Sequence, residues 1–245
     1  MPDRYLQKGV TLVELSIVIA IMAILLAGTL GGINLLKASK LRKVATEFTD
    51  YKSSIEQFEG QYYALPGDMH NAGSYWTGSS NGDGDGSVDW DGAIAANQED
   101  LYAWEHLTNS ELISGSYTGV VKAAGTVRYE LGTNSPDSGA YPEAAYVLYS
   151  LSSAVYGRLG TAIELSELTA SGLPNAGGFT AREAYSIDKK LDDGVADKGN
   201  VFAYKESGAS GCTDNSFSSS SGAYDLDAAD QTCQLLYFYR QAPRS

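Results

Sequence analysis

Residues 10–36 read VTLVELSIVIAIMAILLAGTLGGINLL, and this stretch decides the architecture. From Leu15 to Leu36 no side chain carries a charge. A bilayer core is crossed by about 20 helical residues at ~1.5 Å each, so the segment is long enough to span one. The apolar region of a secretory signal peptide runs only ~7–15 residues, which this segment exceeds. One carboxylate, Glu14, stands near its start. An unpaired carboxylate costs at least ~2.5–3.5 kcal/mol at the bilayer centre and less near the interface, so something must offset it. Ahead of the segment, residues 1–9 (MPDRYLQKG) are polar and include Arg4 and Lys8.

Working outward, the helical pattern continues beyond Leu36. Leu41, Val44, Phe48, Tyr51, Ile55 and Phe58 recur at alternating steps of three and four, while Lys43, Glu47, Asp50, Glu56 and Glu59 fall elsewhere on the helix. That is an amphipathic helix whose apolar stripe seeks a core. Gly60 is its expected stop. A continuous helix over residues 10–59 would be about 75 Å long at ~1.5 Å per residue. Gly28, Gly31 and Gly32 interrupt the apolar part, each weakening the helix by ~1 kcal/mol relative to Ala. Gly28 and Gly32 also make a small-residue face for close helix packing. Lys37, Lys40, Arg42 and Lys43 lie just past the span, and the positive-inside rule alone would put them in the cytoplasm.

The remaining residues, 61–245, are long enough for a globular body with its own core. Hydrophobic residues make up 43% of the 245 and charged residues 19%, as in ordinary globular chains. Thirty acidic against 17 basic residues leave a net charge of −13, which argues against nucleic acid as a partner because phosphate binding needs clustered Lys and Arg. Two cysteines exclude a disulfide-dense scaffold and a four-cysteine zinc site. In the body, Leu101, Trp104, His106 and Leu107 with residues 111–113 suit a helix closed by Gly115. Thr180 and Glu183 form a T-x-x-E capping box that opens a helix running to about Leu191. VVKAAGTVRYEL (120–131), AAYVLYSL (144–151), NVFAYK (200–205) and QLLYFYR (234–240) read as strands. The expected fold class is α+β: one long N-terminal helix packed on a strand-rich antiparallel body.

The run KGVTLVELSIVIAIMAILLAG, with its basic leader, glycine, Thr-Leu-x-Glu and long apolar stretch, resembles the class III signal of type IV pilins and type II secretion pseudopilins. The resemblance implies a leader of residues 1–9, cut by a prepilin peptidase between Gly9 and Val10, with methylation of the new amino group of Val10. The family usually carries Phe after the cut, where this chain has Val10. The organisation it implies is leader 1–9, helix 10–60 with membrane segment 10–36, and a pilin-like domain 61–245 in the periplasm or outside the cell. The implied function is a structural subunit that self-associates into a helical pilus or pseudopilus filament. Its implied partners are the inner membrane, an inner-membrane platform protein and an assembly ATPase. Gly31 stands where related pilins often carry a helix-breaking proline. Glu14 would pair with the α-amino group of Val10 on a neighbouring subunit, a contact far stronger at low dielectric than in water. YYALPGDMHNA (62–72) and residues 99–119 and 184–204 resemble blocks of prepilin-type proteins that carry no known chemistry.

Two features of the body suggest sites. In NGDGDGSVDWDG (81–92), Asn81, Asp83 and Asp85 alternate like the first ligands of a calcium loop, with Gly86 at the turn, Ser87 offering a carbonyl, Val88 where such loops place an apolar anchor and Asp89 at the ninth position. The twelfth position is Gly92, so the usual bidentate Glu is missing and Asp91 or a distant carboxylate would have to replace it. Major pseudopilins bind calcium in their globular domain, and the alternative is a solvated Asp/Gly turn. Cys212 and Cys233 are expected to pair outside the cytoplasm, and they also resemble the carboxy-terminal disulfide loop of type IV pilins. The Ser/Gly-rich stretch between them reads as a surface loop. His70 and His106 are isolated histidines, and no hydrolase, zinc-protease or nucleotide-binding motif is present, so an enzyme is not expected. The rival readings are a minor pilin or tip pseudopilin, a membrane-anchored calcium-dependent adhesin, and a membrane-anchored periplasmic enzyme.

Overall fold

In the computed structural model, which describes residues 9–90, 98–121, 127–155, 158–205, 211–213 and 222–241, the apolar stretch and its amphipathic continuation form one helix, α1 (Leu12–Tyr62). The expected leader, residues 1–8, lies outside the described residues. The chain divides into two units between Lys40 and Leu41. In the first, the large apolar side chains are uncovered: Leu12 is 84% exposed, Ile24 71% and Leu36 67%. The helix is unbroken through Gly28, Gly31 and Gly32.

In the second unit the predicted stripe is the core. Val44, Phe48, Ile55 and Phe58 are fully buried, and Leu41 and Tyr51 pack against the same cluster. The globular unit begins at Leu41, because the second half of α1 supplies its central rings. The expected stop at Gly60 is passed. Tyr62 packs on Phe58 and Trp76, with ring centroids 4.6 and 5.1 Å apart, and these contacts carry the helix on to Tyr62. It ends where Tyr63 takes the left-handed conformation, φ 57°.

Four strands follow: β1 (Ala144–Val155), β2 (Arg158–Glu167), β3 (Val201–Lys205) and β4 (Cys233–Gln241). They form one sheet in the order β1-β2-β4-β3, with every neighbouring pair antiparallel, so the fold class is α+β as expected. Residues opposite each other across strands share a face. Tyr146 and Leu148 stand opposite Leu165 and Ile163, which stand opposite Leu235 and Tyr237, and this face packs with the stripe of α1. Phe48 meets Tyr146 edge-on at 5.4 Å. The other face carries Ala145, Val147, Ala162, Phe202 and Phe238, covered by Leu101 and Tyr129.

β2 has no counterpart among the predicted strands. Its sequence, RLGTAIELSE, puts Gly160 and Glu164 where a strand buried on both faces normally shows aliphatic residues. The predicted strand 120–131 is not formed in its described residues. Residues 122–126 lie outside them, and the amides of Arg128 and Tyr129 donate to Ser171 and Gly172 in a loop instead of to a strand.

Three further helices are α2 (Ala72–Tyr75), α3 (Glu99–Asn109) and α4 (Ala181–Leu191). α4 starts at the predicted capping box, with Thr180 Oγ1 accepting from the Glu183 amide and the Glu183 carboxylate accepting from the Thr180 amide. α3 stops before its predicted end at Gly115. Glu111 turns left-handed at φ 59°, and the amides of Leu112 and Ile113 fold back to the carbonyl of Leu107, closing the helix. Cys212 and Cys233 form a disulfide with Cα atoms 5.0 Å apart, tying residues 211–213 to the start of β4. The Ser/Gly-rich residues 214–221 lie outside the described residues.

Candidate functional site

The amino-terminal site is built by the first turn of α1. Gly9, Val10 and Thr11 are non-helical, and Val10 is 74% exposed. Thr11 caps the helix: its hydroxyl accepts from the Glu14 amide at 3.2 Å. The Glu14 carboxylate reaches back, and its Oε2 accepts from both the amide and the hydroxyl of Thr11 at 2.8 Å. This is a second capping box with the same T-x-x-E signature as Thr180 and Glu183, embedded in the apolar run. On its own chain Glu14 thus has a definite task. It satisfies the Thr11 amide and places negative charge at the positive end of the helix dipole.

Behind this cap runs a stretch of α1 with a mean hydropathy of 2.4, none of it buried, long and apolar enough to cross a membrane. Proline is absent from it, and Ser16 and Thr29 bond back to the carbonyls of Val13 and Leu26, hiding their hydroxyls within the helix. The first unit therefore presents an exposed Val10, a capped carboxylate and an uncovered apolar helix, which suits a membrane-anchored precursor. Residues 4–30 match the family described as the prokaryotic N-terminal methylation motif, so the chain carries the prepilin-type signature of type IV pilins and pseudopilins. No curated protein and no solved structure matches the chain.

In the second unit, the acidic loop predicted from sequence folds over the turn that follows α1. The amide of Gly82 donates to the carbonyl of Met69 at 2.9 Å, and a β-carbon on Gly82 would stand 2.6 Å from Asp68 Cα, so glycine is needed for this approach. Glu99, the first residue of α3, holds the loop from beneath. Its Oε1 accepts from the Asp83 amide at 2.8 Å and its Oε2 from the Asp89 amide at 3.0 Å. Burial pushes the Glu99 carboxyl up to about 7 against the pull of those amides. At the far end, the Val88 amide donates to Ser150 Oγ, and Val88 itself is buried as the apolar anchor the sequence predicted.

The predicted ligands are distributed unevenly. Asn81 turns away, its Oδ1 accepting from the Gly73 amide at 2.9 Å. Asp83 and Asp85 are exposed and each accepts the amide two residues on, from Asp85 and Ser87. Asp91 lies outside the described residues. The carboxylate that joins Asp83 and Asp85 is Asp68, which the linear motif does not contain. It is 4% exposed, with Oδ2 accepting from the Gly86 amide at 3.2 Å. Burial raises the Asp68 carboxyl, and the charges of Asp85 and Asp83 add to the effect.

The two histidines separate cleanly. His106 is buried in α3; its Nδ1 accepts from the Gly67 amide at 3.0 Å, which places the proton on Nε2, donating to the Ser80 carbonyl at 2.8 Å. Burial lowers it to about 4, so it is neutral and structural, tying the turn after α1 to the segment leading into the acidic loop. His70 is exposed and sits beside Gly84, where a β-carbon would lie 3.4 Å from its Nδ1.

Proposed function

We propose that the chain is a structural subunit of a type IV pilus or type II secretion pseudopilus. Prepilin peptidase cuts between Gly9 and Val10 and methylates Val10. The mature chain waits in the inner membrane with its body in the periplasm, and a platform protein and assembly ATPase then drive it into a helical filament. One observation carries this reading: an apolar helix with no cover on its own chain lies directly behind a capped carboxylate, within the methylation motif. Helices uncovered by their own body are stable where lipid, and then neighbouring copies of the same helix, cover them.

The capping box refines how Glu14 would act in assembly. Both Thr11 donors are taken by Oε2, so Oε1 is the oxygen available to the α-amino group of Val10 on a neighbour. The cap and the intersubunit pair are then compatible. Removing one partner of a buried pair costs ~3–5 kcal/mol, enough to stop polymerisation. The body is read as structural, not as an enzyme.

The test has two parts. Intact mass and N-terminal sequencing of the protein from its native membrane should give a chain beginning at Val10, with or without one methyl. Glu14→Ala should insert into the membrane normally but yield few or no filaments in sheared fractions. A native chain beginning at Met1, or normal filaments from the variant, would refute the reading.

A further inference from the structure

Among the described residues, one buried carboxylate oxygen next to the acidic loop has no hydrogen-bond partner. Asp68 Oδ1 is shielded from solvent and accepts no hydrogen bond, while its Oδ2 is engaged by Gly86. A buried, unsatisfied carboxylate oxygen is costly, and native folds retain one where an ion or other ligand completes it. One carboxylate oxygen from each of Asp68, Asp83 and Asp85 lies within 4.8 Å of the others. Each of these side chains spends an oxygen on a backbone amide, which fixes its orientation and leaves the second oxygen for a cation.

From this juxtaposition we infer that Asp68, Asp83 and Asp85 bind one calcium ion, which pins the acidic loop to the turn that follows α1. The donor set is all oxygen and formally trianionic, the chemistry of a hard divalent cation. Calcium fits better than magnesium because the ligands come from an irregular loop, and magnesium demands near-ideal octahedral geometry and keeps its waters. Backbone carbonyls and solvent complete a shell of six to eight oxygens.

The surroundings are prepared for an ion in two further ways. Glu99 holds the amides of Asp83 and Asp89, so the loop is in place before any ion arrives. Arg240, which lines the same open cleft, is engaged by Glu59 and does not neutralise the trio. A second acidic trio, Asp188, Asp192 and Asp193, lacks the decisive feature. Asp188 spends both oxygens, on the Gly194 amide at 3.1 Å and the Tyr224 hydroxyl at 2.8 Å.

Calcium binding stands apart from polymerisation and holds whether or not the chain forms filaments. The test is isothermal titration of the detergent-solubilised full chain, stripped with chelator, with calcium chloride alone and then magnesium chloride alone. One calcium per chain is expected, with magnesium at least tenfold weaker. Asp68→Asn and Asp85→Asn should each weaken calcium at least tenfold. Should Asp68→Asn fail to fold, the exposed Asp85→Asn decides. No binding by the wild-type chain, binding unchanged in Asp85→Asn, or equal affinity for magnesium would overturn the inference.

Discussion

Glu164 lies near the middle of β2, 2% exposed, where hydroxyls rather than cations surround it. The phenols of Tyr149 and Tyr204 each donate to it at 2.7 Å, and Ser166 Oγ donates at 3.1 Å. Burial outweighs these three donors and raises the carboxyl from 4.5 to about 7. Between pH 4.5 and 7 the folded chain therefore holds a proton that the unfolded chain has released, and stability falls as pH rises through that window. At ~1.4 kcal/mol per pKa unit the loss amounts to about 3 kcal/mol, complete above pH 7. Glu164→Gln keeps the shape and removes the charge. Urea unfolding of the detergent-solubilised full chain, followed by tryptophan fluorescence from pH 4.5 to 8, measures the difference. Glu99, Asp100 and Asp188, also raised by burial, titrate in both proteins and cancel. The variant should gain about 3 kcal/mol on the wild type between pH 4.5 and 7.5. Parallel stability curves would refute the assignment and mean that Glu164 is solvated or paired in solution.

Other outcomes follow from the core and its staple. Phe48→Ala removes a fully buried ring that touches Tyr146 and Tyr237, and the expected loss is ~3–5 kcal/mol in the same urea assay. A loss below 1 kcal/mol would mean that the second half of α1 is not the centre of the core. Cys212→Ser with Cys233→Ser opens a loop with a sequence separation of 21, and loop-closure entropy predicts a loss of ~3 kcal/mol. An unchanged unfolding midpoint would show that residues 211–213 are held by other contacts.

Much of the molecule was legible along the chain because its signals are local. The uncharged run to Leu36 announces a helix for a membrane, and steps of three and four from Leu41 to Phe58 announce one that packs on a body. Thr180 and Glu183, three residues apart, mark a helix start, and Tyr/Val/Leu clusters mark β1, β3 and β4. The same capping signature at Thr11 and Glu14 was equally readable but was obscured by the apolar run around it. β2 was not readable, since Glu164 is tolerated in a sheet centre only because Tyr149 and Tyr204, on two other strands, bring hydroxyls to it.

The acidic loop divides along the same line. Its sequence determined the Asp/Gly alternation, the turn at Gly86 and the buried anchor Val88, all properties of neighbouring residues. Packing between distant segments brings Asn81 to Gly73, sets Glu99 beneath the loop and supplies Asp68 as the third carboxylate. The physical reason is distance along the chain. A cap or a turn is closed by residues three or four apart, whereas an ion site or a buried charge is completed by whichever groups the packed core brings within a few ångströms.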